Sequence, residues 1–178
     1  MIKGGKGGAS TLTGLEFESI SSLKKFFNNI ENYEVIGDDI IYDGKKAAQF
    51  IGKHKLYRFL GNRGVNWENI ISKRLLPDEA LYITSSNKVY IIEMKSQKVG
   101  GSVDEKLQTC DFKLRQYKKL FEPLGIEVHF IYLLDDWFKD SSYRDVLNYI
   151  KTVNCNYFFQ SEGIPFEYFG LPNTTENT

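Results

Sequence analysis

Hydrophobic positions change their period along this chain, and the changes mark out its elements. Ile20, Leu23, Phe27 and Ile30 recur at three- and four-residue steps, the spacing of one helix face, which predicts a first helix over residues 13–30. Short β-branched and aromatic runs follow at Tyr33–Ile36, Asp39–Tyr42 and 47–51, with Asp43-Gly44 as a turn, and read as strands. Residues 54–61 and 66–74 read as short helices. Runs at 81–84 and 89–92 flank the turn-forming Ser85-Ser86-Asn87-Lys88 and predict an antiparallel hairpin. Val103, Leu107, Cys110, Leu114, Tyr117 and Phe121 alternate four- and three-residue steps and predict a strong helix over 103–122. Residues 126–134 form an unbroken apolar run, as expected of a strand inside a sheet reached by a crossover from that helix. A helix over 142–151 and a strand at Asn156–Phe159 complete the pattern.

Composition narrows the class. At 178 residues the chain is one domain of ordinary size: a glycine-rich arm over 1–12, a single domain over 13–170 and a frayed tail over 171–178. No run of 18 apolar residues occurs and the first residues are too polar for a secretory signal, so the expectation is a cytoplasmic protein without membrane contact. Two cysteines without close spacing and two histidines suggest neither a disulfide framework nor a structural zinc site. Net charge is zero, but residues 44–76 carry eight bases against Glu68 alone, while residues 135–178 carry seven acids against three bases. The basic stretch can contact phosphates, and its part from His54 to Leu60 reads equally as an ordinary amphipathic helix with a solvated face. Lys3 and Lys6 of the arm could follow a nucleic-acid backbone.

The hairpin concentrates the candidate chemistry. A turn centred on Ser85-Ser86 pairs residues whose numbers sum to 171 and sets Asp78 opposite Glu93; one centred on Ser86-Asn87 sets Asp78 opposite Lys95. In either register Asp78 lies beside Glu93 and Lys95, which share a face with Gln97 while Met94 points away. An acid at the end of an apolar strand needs compensation, and a hard dication such as Mg²⁺ prefers carboxylate oxygens. Asp78 and Glu93 are the candidate metal ligands, and Lys95 the candidate for orienting or activating water. Gln97 is a candidate for fixing a phosphate or a metal-bound water, or for a simple edge hydrogen bond. The competing reading of Asp78, Glu93 and Lys95 is a surface ion-pair network.

Pro77-Asp78, a short hairpin and Glu93-Met94-Lys95 together resemble the PD-(D/E)XK nuclease superfamily. Gly14-Leu15-Glu16-Phe17-Glu18 is similar to the Gly-x-x-Phe-Glu opening of the first core helix in many of its members, and Gln97 and residues 100–109 resemble segments of restriction-enzyme-like ones. The resemblance spans residues 4–134. It implies an α/β fold with an αβββαβ core, a central mixed sheet flanked by helices, and divalent-metal-dependent phosphodiester hydrolysis. It also implies that Glu18 completes the metal site, although helical periodicity places Glu16 on the apolar stripe and Glu18 roughly opposite, so Glu16 stands as the rival.

The expectation is therefore a Mg²⁺-dependent endonuclease, with Mn²⁺ as a substitute, acting on double-stranded DNA through Glu18, Asp78, Glu93, Lys95 and Gln97. A type II restriction endonuclease working as a homodimer fits best, because protein symmetry then matches a palindromic target. The alternatives are a structure-selective junction or repair nuclease, and a catalytically silent nucleic-acid-binding protein of the same fold.

Overall fold

Seven strands lie side by side in chain order in the computed structural model, which describes residues 20–97 and 103–172. They are β1 (Tyr33–Ile36), β2 (Asp39–Tyr42), β3 (Lys45–Phe50), β4 (Glu79–Ile83), β5 (Lys88–Lys95), β6 (Glu127–Leu134) and β7 (Asn156–Phe159). The first five run antiparallel, each joined to the next in the sheet, whereas β5, β6 and β7 are mutually parallel. Parallel neighbours need long crossovers, and α4 (Cys110–Phe121) and α5 (Arg144–Thr152) supply them. The fold is thus mixed α/β, a seven-stranded mixed sheet with helices on both faces.

Alternation along the strands divides the core in two. Ala80, Val89, Ile91, Val128, Phe130, Tyr132 and Leu134 face a layer made by α2 (His54–Gly61), α3 (Val103–Leu107), α4 and α5. Leu81, Ile83, Tyr90, Ile92, Ile131 and Leu133 face the opposite layer, made by α1 (Ile20–Asn28) and the C-terminal residues Ile164, Phe169 and Leu171. Both ends of this second layer meet β1: Phe27 packs on Tyr33, and the Tyr33 hydroxyl donates to the Pro172 carbonyl. Leu171 is buried, so the first residues of the expected frayed tail are held down.

The anticipated amphipathic stripes are those that pack. Leu23 and Phe27 of α1, and Leu107, Cys110, Leu114, Tyr117 and Phe121 of α3 and α4, are all buried. Residues 13–19 of the expected first helix, including Glu16 and Glu18, lie outside the described residues, as do the arm over 1–12 and residues 173–178. No helix among the described residues is long and apolar enough to cross a membrane.

Two elements differ from the sequence expectation, each for a tertiary reason. The helix expected over 66–74 is a single 3-10 turn, Trp67–Asn69, started by the Asn66 carboxamide accepting from the Glu68 N–H. Beyond it the chain is held extended: the Leu75 N–H donates to the Tyr57 hydroxyl, which donates to the Leu75 carbonyl, and Pro77 disfavours helix at Leu76. The helix expected over 103–122 breaks between Leu107 and Cys110. The Lys106 carbonyl there accepts from the Thr109 hydroxyl at 2.7 Å and the Tyr132 hydroxyl at 3.0 Å, which diverts it from the helical ladder.

The turn after β3 presses against the start of β4 at Gly52. An added methyl group there would stand 2.7 Å from the Glu79 Cα, so Gly52 admits no side chain without moving backbone. Gly52→Ala is expected to cost about 1–3 kcal/mol in urea-induced unfolding with little change in m-value. Stability equal to the wild type would show that the two strands separate freely at this point.

Candidate active site

The observed hairpin takes the register in which partners sum to 171: Ile83 pairs with Lys88, Ala80 with Ile91 and Glu79 with Ile92. Continued one step, it sets Asp78 against Glu93. The Asp78 Oδ2 accepts the Met94 N–H at 2.9 Å, so its carboxylate lies against the backbone just beyond Glu93. Three contacts hold the segment that delivers it. The Tyr57 hydroxyl grips Leu75, the Lys53 N–H donates to the Pro77 carbonyl at 3.0 Å, and the Ile51 N–H donates to the Ala80 carbonyl at 2.7 Å. To make its contact Lys53 takes φ 53° and ψ −131°, a strained conformation for a residue with a side chain.

Glu93 is buried, at 6% exposure, on the sheet face covered by α4. Its Oε2 accepts from the Lys95 ammonium at 2.9 Å and from the Lys113 ammonium of α4 at 2.7 Å. Lys95 also donates to the Met94 carbonyl at 3.1 Å and lies 5.8 Å from the centre of the Tyr132 ring. Met94 packs into the opposite layer, so the alternation expected from the sequence holds. Asp78, Glu93 and Lys95 are brought together, and Lys113 joins them from the helix behind.

Gln97 follows β5 and is buried. The Asp135 N–H donates to the Lys95 carbonyl at 3.0 Å and the Gln97 N–H donates to the Asp135 Oδ2 at 2.8 Å, which closes the ends of β5 and β6 over the site. The side-chain amide of Gln97 has no hydrogen-bond partner on either atom among the described residues. The Tyr117 hydroxyl, one turn beyond Lys113, is likewise buried and unpartnered. Burial pushes the Tyr117 phenol strongly upward, and the negative charges of Glu93 and Asp78 add to this, with Tyr57 between them in effect. Tyr117 thus stands within the field of both carboxylates.

Beside Asp78 opens a groove of about 500 Å³, lined by Lys24, Gly52, Lys53, His54, Lys55, Arg58, Asp78 and Glu79. The sequence basis is the amphipathic α2: Leu56, Tyr57, Phe59 and Leu60 are buried, while Lys53, His54 and Arg58 are left exposed. Lys24 and Lys55 are partly neutralised by Asp38, with which both pair. The remaining cations give this wall a positive surplus.

Among the described residues no group of three or more His, Cys, Asp or Glu stands together as a metal site. The described donors are two carboxylates, Asp78 and Glu93, with the unpartnered Gln97 amide nearby. Two carboxylates from neighbouring strands are a donor set that suits Mg²⁺, which prefers carboxylate oxygens and seldom takes an all-protein cage. Comparison with known proteins found no significant match of the chain to a family model, to a curated protein or to a solved structure.

Lys113 lies off the apolar stripe of Val103 to Phe121, and nothing in the spacing reveals that it reaches Glu93. Tyr117 was absorbed into the stripe, and its spacing of four from Lys113 was the signal that the two share a face. Glu79 was not foreseen. It lies on the other sheet face, where its Oε1 accepts from the Gly52 and Ala80 N–H groups at 2.7 and 2.8 Å.

Burial raises the Glu79 carboxyl above its ordinary range, and the two N–H groups, Lys55 and Lys24 offset this only in part. An acid whose folded pKa is raised binds its proton more tightly folded than unfolded, so stability falls as pH climbs from the unfolded value through the folded one. Glu79→Gln keeps a carbonyl for both N–H groups and removes the titration. The urea midpoint of the variant relative to the wild type is expected to rise as pH climbs above the ordinary carboxylate range. A gap that is constant or narrows with pH would contradict the raised carboxyl.

Proposed function

We propose that this chain is a divalent-metal-dependent DNA nuclease of the PD-(D/E)XK type. The observation that carries the reading is the convergence of Asp78, Glu93 and Lys95 on one sheet face, with Asp78 also lining a groove that Lys53, His54 and Arg58 share. The element order supports it: α1, antiparallel strands, α4 and then β6 parallel to β5 follow the sequence of elements that the resemblance implies. So does the strain at Lys53, which brings a lysine to the edge of the groove next to Asp78.

In this reading Asp78 and Glu93 offer the ligating oxygens, and Glu18, beyond the described residues, assists through water. Mg²⁺ or Mn²⁺ would supply charge neutralisation at the phosphoryl group and a more acidic water. Lys95, tethered by the Met94 carbonyl and the Tyr132 ring, orients the attacking water or stabilises charge developing at phosphorus. Gln97 offers a buried amide with both hydrogen-bonding atoms unused, suited to a scissile phosphate or a coordinated water. Lys53, His54 and Arg58 contact the backbone of the nucleic acid to one side of the cut.

Within the class, a type II restriction endonuclease is the preferred form, two copies cutting the two strands of a symmetric duplex site. With Mg²⁺ or Mn²⁺ the wild type is expected to cut plasmid DNA into discrete fragments. Asp78→Asn, Glu93→Gln and Lys95→Ala are each expected to lower the rate by at least about 100-fold while remaining folded. A smear would point to cleavage without sequence choice, and preference for a four-way junction to a structure-selective enzyme. The nuclease reading fails if wild type and Lys95→Ala are equally inactive on duplex, junction and single-stranded DNA with either metal.

A further inference from the structure

Two ammonium groups meet one carboxylate oxygen in this site. Lys95 and Lys113 both bond to the Glu93 Oε2, at 2.9 and 2.7 Å, and their side chains retain only 16% and 23% exposure. Asp78 is met instead by a neutral N–H and forms no salt bridge among the described residues. Two carboxylates and two ammoniums leave the patch neutral, so it holds little attraction for a dication until one ammonium withdraws.

The two lysines are not equally free to do so. Lys95 is tied twice more, to the Met94 carbonyl and over the Tyr132 ring, and it stands on the same strand as Glu93. The Lys113 ammonium has Glu93 as its sole hydrogen-bond partner among the described residues, at the end of a long side chain on the facing helix. Independently, the buried Gln97 amide and Tyr117 hydroxyl have no hydrogen-bond partner among the described residues. Buried polar groups are ordinarily satisfied, so both offer hydrogen-bonding capacity to a ligand that enters beside Glu93.

Resting on the metal-dependent reading above, we propose that Lys113 is an exchangeable counter-ion. It holds Glu93 in the empty site, gives up that oxygen when a dication occupies the site, and transfers to a phosphate oxygen of the nucleic acid. Cation and polyanion each favour the same displaced position of Lys113, so each strengthens the binding of the other, by the same factor in both directions. Lys113 is thereby a positioning residue that couples the two ligands. Without nucleic acid, the protein is left with a weak metal site.

The test uses the full chain and Mn²⁺, followed by the paramagnetic resonance of the free ion, with and without a random-sequence phosphorothioate duplex that resists hydrolysis. In the wild type the duplex is expected to tighten Mn²⁺ binding about tenfold. Lys113→Met is expected to bind Mn²⁺ alone about tenfold more tightly than the wild type, with less than about threefold further gain from the duplex. Lys113→Arg, which keeps the charge, is expected to show the wild-type dependence on duplex. Mn²⁺ affinities of wild type and Lys113→Met that agree within about twofold in the absence of duplex would overturn the counter-ion role and leave the metal site standing. Absence of Mn²⁺ binding in both proteins, with duplex present, would overturn the metal site and the counter-ion role together. Lys113→Gln provides the same comparison should the methionine variant unfold.

Discussion

The buried carboxylate of Glu93 is the constraint around which the rest is arranged. It closes a strand whose preceding four residues, Val89 to Ile92, are all buried, and an unpaired ionised group there would cost several kcal/mol. Lys95, from the same strand, balances that charge, and a second ammonium, Lys113, is added only because α4 stands at the height from which it reaches over. That height is set by the sheet: Tyr132, the neighbour of Glu93 on β6, donates to the Lys106 carbonyl and stops the preceding helix at the point where α4 can begin. The helix break, the tyrosine on the adjacent strand and the position of Lys113 meet at this one carboxylate.

Asp78 is held by a different and more local arrangement. Its strand is preceded by an extended segment that buries little of its own surface, and the segment is fastened by Tyr57 and by the turn at Gly52 and Lys53. Glu79, on the reverse face, ties the same turn to β4 through two N–H groups. Adjacent acids, Asp78 and Glu79, therefore serve opposite faces of one strand. The first is left beside the groove and the second is consumed in holding that groove's edge in place.

Much of this was legible in the sequence because it is local. The alternation of Glu93, Met94 and Lys95, the hairpin that sets Asp78 opposite Glu93 or Lys95, the stripe from Leu107 to Phe121 and the amphipathic α2 all depend on periods and turn residues within a short window. What escaped depends on distant partners. Residues 66–74 have helical spacing, but Tyr57 takes the Leu75 backbone; Leu171 has no local reason to be ordered, yet fills the layer beneath β1. The attachment of Lys113 to Glu93 spans 20 residues and a change of layer, and no periodicity carries that information.

Strand β5 is the seam of the molecule, antiparallel to β4 on one side and parallel to β6 on the other. The carboxylates belong to the meander, which closes through short turns, whereas Lys113, Tyr117 and the Asp135 clasp on Gln97 arrive with the crossover, whose contacts span longer loops and form more slowly. A chain caught with the hairpin formed and the crossover open would own both acids and Lys95 without Lys113 or the clasp on Gln97. The pocket is complete only once the crossover has closed, so that partly folded molecules carry the ingredients of the site but not its architecture.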